Sequence, residues 1–381
     1  MMHREPTSGL RLNAGTVEDV AVIAPAQALE DRLRPFVGSR VPGVAAAVVT
    51  AEGIRAAAGA GLADIASGAT ASTSMVCPWF SMTKIATATT AMRFVDRGEL
   101  DLDEPIIGHV PQLERLTPAG RARRITARHL LTHSAGLSNP IPVSWIHPAD
   151  QPGPDPDAFL DGLLAKHPKL RFEPGARSSY SNLGTLTLGT ALARLAGKPY
   201  THIVQDELLA PLGMTRTGFS YAPEVLPDAA TGYHARWSPM RALLPRWVIG
   251  PPAGRWISFN RFLLDGSAYG GLVGPAEDAA RFLRMHLRDG ELDGTRILQP
   301  ETAARMREIT APGKRFDLGL GWFRPANARD ADPAFVEHLG GGAGFFNVIR
   351  IYPSKGVGIA VMGNATRYDI DRVAALALDG P

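Results

Sequence analysis

Cysteine is almost absent: Cys77 is the only one in 381 residues, so no internal disulfide can form. It sits before Pro78-Trp79-Phe80 among apolar neighbours, with no basic group nearby in sequence to lower its pKa. That environment describes a packed thiol and not a nucleophile. No run of eighteen apolar residues occurs, so no membrane-spanning helix is expected. The start, Met1-Met2-His3-Arg4-Glu5-Pro6, lacks the apolar core of a signal peptide. The short stretch Ala21 to Leu29 follows Glu18 and Asp19 instead of a basic region, so a cytoplasmic location is expected. Charge of one sign is also scarce, with a net charge of only +3. The arginines are scattered, and the densest group, Arg121, Arg123 and Arg124, reads as a solvated face, so no nucleic-acid partner is expected. There is no internal repeat and no long low-complexity tract. What remains is an ordinary globular composition, 45% hydrophobic and 20% charged, on a chain long enough for two or three domains.

Val41 to Thr50 is apolar and valine-rich, Ala51-Glu52-Gly53 reads as a turn, and Ile54 to Leu62 resumes the apolar run. This predicts a hairpin. Leu29, Leu33 and Phe36 recur at helical spacing ahead of it. Strand-like segments return near the other end: Leu318 to Trp322, Phe335 to Leu339, Phe345 to Tyr352 and Val357 to Met362. Pro353-Ser354-Lys355-Gly356 supplies turn chemistry between the last two, and Asp369 to Leu378 reads as a closing helix. The simplest assembly is one mostly antiparallel sheet built from both chain ends and flanked by the terminal helices. The middle is mainly helical, with candidates at Ser81 to Arg97, Ala127 to Thr132, Asn182 to Ala196, Tyr200 to Leu209 and Pro275 to Asp289. Two stretches resist regular structure: Ser138 to Asp157, with six prolines, and Tyr233 to Phe259, with four prolines plus Trp237, Trp247 and Trp256. Long loops of this kind often wall a site, although the tryptophans fit core filling equally well. The expected division is therefore 1–79 with 280–381 as a sheet domain, and 80–279 as an inserted helical domain.

Ser81-Met82-Thr83-Lys84 is the first chemical candidate. With 17 serines and six lysines, one Ser-x-x-K pair proves little by itself. Placement adds weight, because strand-like Val76 to Phe80 runs into an amphipathic segment and sets Ser81 at a helix start, where a backbone N–H is unpaired. Residues three apart share a helix face, which brings the Lys84 amine beside the Ser81 hydroxyl. A bland alternative is a helix cap and a surface lysine. Tyr180-Ser181-Asn182, at another helix entry, is the second candidate. A tyrosine serves as a base only if its pKa falls from about 10 toward neutrality, which a desolvated ammonium could bring about. His338-Leu339-Gly340-Gly341-Gly342 is the third, since glycines at a strand end admit a substrate backbone. It lacks the G-x-x-x-x-G-K of a phosphate loop and leads into a strand.

Weaker candidates remain. Thr132-His133-Ser134-Ala135-Gly136 looks like a nucleophile elbow but has Thr where the first Gly is needed. His129 and His133 are four apart without an H-E-x-x-H pattern, so structural roles are expected and no metal.

Taken together, the three candidates in this order resemble the class C β-lactamase superfamily, which includes family VIII carboxylesterases, penicillin-binding DD-peptidases and D-aminopeptidases. The resemblance runs from about Val41 to Asn364. It includes Leu130-Leu131-Thr132-His133-Ser134-Ala135-Gly136-Leu137, Pro174-Gly175 ahead of Tyr180, and Gly319-Leu320-Gly321-Trp322. It implies an α/β (α+β) fold like that of β-lactamases and penicillin-binding proteins. By the resemblance, Ser81 is the nucleophile, Lys84 the lysine that orients and charges the site, and Tyr180 the base. Asn182 helps hold lysine and substrate, and the N–H groups of Ser81 and Gly341 form the oxyanion hole. His338-Leu339-Gly340 stands where the lactamases have Lys-Thr-Gly, which makes His338 and Gly340 substrate-binding residues. Here the pattern departs: His338 is mostly neutral at pH 7 and Leu339 has no hydroxyl, so the grip on a lactam carboxylate is lost, at roughly 1.5–3 kcal/mol for a charge-assisted hydrogen bond. A small-molecule carboxylic ester with a short acyl chain is the expected substrate, with no cofactor and with oligomeric state left open. Peptide or lactam cleavage on the same site and a non-catalytic scaffold are the alternatives. Loss of a cation near Tyr180 should also leave its pKa high, giving an alkaline optimum for kcat/KM; a flat profile from about pH 6 to 9 would count against a tyrosinate.

Overall fold

A computed structural model describes residues 17–238 and 243–379. Eight strands form its main sheet: β1 Gly43–Thr50, β2 Ile54–Asp64, β3 Ala69–Thr70, β4 Phe316–Leu318, β5 Phe323–Pro325, β6 Val336–Gly342, β7 Phe345–Tyr352 and β8 Val357–Gly363. Their order is β4-β5-β6-β7-β8-β1-β2-β3, antiparallel throughout. The two chain ends meet at β1 and β8, in register from Val44 opposite Gly363 to Thr50 opposite Val357.

Alternation along β1 explains why this strand is apolar at every position. Val44, Ala46 and Val48 face one cluster with Leu29 and Leu33 of helix α1 (Val17–Leu33) and with Val373 and Ala374. Ala45, Ala47 and Val49 face the other cluster with Phe282 and Leu283. A strand covered on both faces has no polar side to show. Helix α2 (Thr83–Asp96) is buried on nearly all sides. Its threonines survive burial because Thr87, Thr89 and Thr90 donate their hydroxyls to the carbonyls of Thr83, Ile85 and Ala86. Helix α3 (Asn182–Ala196) packs beside it, helix α4 (Ala276–Leu287) covers the inner face of the sheet, and α5 (Ile370–Ala375) joins α1 on the outer face. The expected boundary at 279/280 falls inside α4.

Several elements differ from expectation. Of Val76 to Phe80 only Cys77–Pro78 is a strand, paired with Val273–Gly274. Of the expected Leu318 to Trp322 only Leu318 is in a strand, ending β4; residues 319–322 form the turn to β5, where Gly321 has a φ of +101° and its missing Cβ would lie 2.4 Å from the Ala88 Cβ. The helix from Tyr200 ends at Val204 and continues as a π turn over Gln205–Leu209. The Tyr233 to Phe259 stretch is more regular than its prolines suggest, with Tyr233–Ala235, Ile249–Ala253 and Trp256–Phe259 forming a small sheet. Ile146–Pro148 pairs with Phe262–Leu264 in a short ribbon.

Candidate active site

Ser81 lies in a tight turn two residues before α2 and not in the helix itself. Phe80–Met82 form a 3-10 turn, and Phe80 has a φ of +47°, a left-handed conformation that costs a non-glycine residue about 1 kcal/mol or more. Packing holds it there: the Phe80 ring lies 6.1 Å from Phe262 and 6.4 Å from Phe345. The Trp79 N–H donates to the Leu272 carbonyl, and Asn347 Nδ2 donates to the Pro78 carbonyl, so the turn is anchored on both sides.

Lys84 sits in the first turn of α2 and is 3% exposed. Its Nζ lies 3.0 Å from Ser81 Oγ and 2.7 Å from the Tyr269 carbonyl oxygen. Burial holds its pKa well below the ordinary 10.5.

Tyr180 precedes Ser181, the N-cap of α3, whose Oγ accepts from Gly184 N–H and donates to the Ser138 carbonyl. Ser179 N–H donates to the His133 carbonyl, and Ser181 N–H to His133 Nδ1. The tyrosine is thus tied to the Thr132–Leu137 stretch. Its ring centroid lies 4.9 Å from Lys84 Nζ, and its phenol is near enough to the Ser81 side chain to be stabilised by it. Burial pushes the phenol above its ordinary value of 10, opposed by the nearby Ser81 side chain and by the positive charge of Arg315. The two shifts run in opposite directions and favour a neutral amine beside a neutral phenol.

Ser81, Asn182 and Gly341 all border one cavity of about 460 Å³, walled by apolar side chains such as Phe80, Ile146, Phe259, Phe262 and Leu264. Asn182 does not hold Lys84 through a hydrogen bond. Its backbone N–H donates to Asn139 Oδ1, while its own Oδ1 is buried without a partner among the described residues. His338 and Gly340 do not border the cavity. The His338 ring is 1% exposed, 4.7 Å from the Phe323 ring, and burial keeps its pKa well below 6.5. Gly340 packs against the turn itself, since a Cβ there would lie 2.0 Å from the Trp79 carbonyl oxygen.

Tyr269 is the residue the motifs do not reveal. Its carbonyl receives the Lys84 amine, its ring is 5.4 Å from that nitrogen, and its buried hydroxyl, without a partner among the described residues, belongs to a residue on the cavity wall. The one available signal was the Gly270-Gly271 pair after it. His133 is buried with a pKa pushed down to about 3 by desolvation, His129 Nδ1 accepts from Thr126 N–H, and Ser134 Oγ pairs with Thr132 Oγ1; none of the three borders the cavity. Nor do Trp237, Trp247 and Trp256, of which only Trp256 is core.

A family model described as Beta-lactamase matches residues 29–379. The chain belongs to that family. Protein Rv1367c of Mycobacterium tuberculosis (strain ATCC 25618 / H37Rv) is 36% identical over 244 residues, covering 60% of this chain and 57% of that protein. The matched stretch therefore spans less than two thirds of that relative's length. Esterase EstB of Burkholderia gladioli is 33% identical over 158 residues, 38% of each chain. Among solved structures, the octameric penicillin-binding protein homologue from Pyrococcus abyssi superposes with a TM-score of 0.71 at 25% identity, covering 89% of this chain and 73% of that one. The fold is that of β-lactamases and penicillin-binding proteins, a large antiparallel sheet with helices on both faces. Among the described residues no helix is long and apolar enough to cross a membrane.

Proposed function

We propose that this Beta-lactamase family member is a serine carboxylesterase that cleaves small carboxylic esters, short acyl chains preferred, through an acyl-enzyme on Ser81. One observation carries the reading: at the wall of an apolar cavity the Ser81 hydroxyl lies 3.0 Å from the Lys84 amine, and the Tyr180 ring centroid lies 4.9 Å from the same nitrogen. Lys84, as a neutral amine, takes the Ser81 proton while Oγ attacks the ester carbon. The Ser81 and Gly341 N–H groups are assigned to the oxyanion, a contribution of about 3 kcal/mol for each such donor. As the carbon–oxygen bond to the alcohol breaks, Tyr180 gives its proton to the departing oxygen and recovers one from Lys84. Water then repeats the sequence on the acyl-enzyme.

The neutral His338 and the aliphatic Leu339 support an ester over a carboxylate-bearing lactam, as does the kinship with EstB. Amide or peptide cleavage is the second reading, favoured by the buried, unpartnered Oδ1 of Asn182, which a substrate N–H would satisfy. Turnover of p-nitrophenyl acetate and butyrate, nitrocefin and D-Ala-D-Ala peptides separates the two. The ester reading requires the acetate or butyrate to lead the panel, and a fluorophosphonate to label wild type but not Ser81→Ala. Undiminished turnover by Ser81→Ala sinks both.

A further inference from the structure

Tyr180 borders a second opening that Ser81 does not reach. This groove, about 820 Å³, is lined by Arg171, Arg177, Lys314, Arg315 and Arg329 and by no acidic side chain. Arg329 is committed to Asp317, the buried carboxylate behind it. The other four cations have no carboxylate within ion-pairing distance among the described residues. Arg177 rests on the Phe172 ring and Arg315 on the Phe316 ring, with their charges free to meet a ligand. Elsewhere the surface arginines are mostly paired: Arg121 and Arg124 share Glu173, and Arg128 holds Asp103. A concave, one-signed surface focuses field and collects anions.

The chemistry of acyl transfer decides which part of a substrate lies there. Ser81 and Gly341 border the apolar cavity, whereas Tyr180 borders the groove. The group that protonates the departing oxygen must face the leaving group, so the acyl part occupies the apolar cavity and the leaving part points past Tyr180. We propose that the Arg171/Arg177/Lys314/Arg315 groove binds an anionic group, carboxylate or phosphate, on the leaving-group side of the substrate. The proposal rests on the acyl-enzyme reading and extends it: substrates are neutral at the scissile bond and in the acyl part, and negatively charged farther out.

A matched trio of acetyl esters tests this: 3-acetoxybenzoate, its methyl ester, and 3-acetoxyphenyl phosphate. In each case Ser81 Oγ bonds to the acetyl carbon, the bond between that carbon and the phenolic oxygen breaks, and the phenol leaves with the proton from Tyr180. The expected result is a kcat/KM ratio of anionic to methyl ester of about ten or more at low salt, falling several-fold toward about 0.5 M NaCl. The ratio should also fall at least about fivefold in Arg171→Gln/Arg177→Gln. Whichever anion gives the larger ratio names the ligand. A ratio of one or less in the wild type, or a ratio unchanged in the double variant, overturns the proposal. Calorimetric titration of Ser81→Ala with 3-hydroxybenzoate and methyl 3-hydroxybenzoate reads the groove without turnover. Tighter binding of the anion there, with no ester cleaved by the wild type, keeps the groove and removes the acyl-enzyme reading. Cleavage of all three esters at equal rates does the reverse.

Discussion

The carbonyl oxygen of Tyr269 lies 2.7 Å from Lys84 Nζ, nearer than the Ser81 hydroxyl at 3.0 Å. A backbone carbonyl cannot move away as a side chain can, so it fixes the amine on the serine from a position 185 residues along the chain. This contact does the holding that the family resemblance gave to Asn182. The consequence is a site with one rigidly held amine beside the serine. Lys84→Met should lower kcat/KM for p-nitrophenyl acetate by at least about a thousandfold, comparable to Ser81→Ala, since residues acting as a unit fail together. A loss below tenfold in Lys84→Met, with the fold intact by circular dichroism, would remove Lys84 from the chemistry.

The directions of the two pKa shifts set the pH profile. Lys84 is held well below 10.5 by burial and Tyr180 is pushed above 10 by the same cause. A buried amine that works as the free base is competent above its folded pKa and loses activity as pH falls through it. The acid limb of kcat/KM should therefore lie well below 10.5, and it belongs to the coupled pair. Tyr180→Phe should keep this limb while lowering kcat. If the limb instead lies near 10 or higher and vanishes in Tyr180→Phe, the tyrosinate is the base, as the sequence alone suggested.

What was legible in the sequence is what local chemistry encodes. Helix α3 was expected at Asn182 to Ala196 and is found there, because Ser181 caps one end and Gly197, at φ +63°, ends the other. The β1–β2 and β7–β8 hairpins carried their own turns, Ala51-Glu52-Gly53 and Pro353-Ser354-Lys355-Gly356. The Ser-x-x-K spacing placed Lys84 beside Ser81 because three residues make nearly one helical turn. The contact with Tyr269 was invisible, since a main-chain oxygen has no residue signature. The left-handed Phe80 was equally hidden, being set by rings from residues 262 and 345. The basic groove collects residues from two segments about 140 positions apart, which look like scattered arginines in the linear chain.

Gly340 and Gly341 are neighbours with different tasks, and substitution should separate them. A Cβ at Gly340 meets the Trp79 carbonyl at 2.0 Å, which is backbone and cannot yield without moving the Ser81 turn. At Gly341 the nearest atom is a Phe346 ring carbon at 3.2 Å, and a ring can shift. Gly340→Ala should cost about 2 kcal/mol of stability, typical of overpacking, and at least tenfold in activity. Gly341→Ala should stay within about 1 kcal/mol by urea denaturation. Equal costs at the two positions would show that β6 is not what braces the turn.

The sheet itself contains a charge that should make stability depend on pH. Glu337 on β6 is fully buried, its Oε2 accepting from Arg350 on β7 at 2.8 Å while its Oε1 has no partner among the described residues. Burial pushes its carboxyl up to about 7, Arg350 opposing. The folded state thus holds a proton that the unfolded chain has released above about 4.5, so this group costs stability as pH rises between those values. Arg350→Met removes the opposing charge and leaves a buried carboxylate alone. The loss should reach about 3–5 kcal/mol at pH 8 and shrink markedly at pH 5, where Glu337 takes up its proton. Adding Glu337→Gln to Arg350→Met should recover most of the loss at pH 8. Urea denaturation at the two pH values checks this, and a penalty that is the same at both would show that the carboxyl does not titrate in the folded protein.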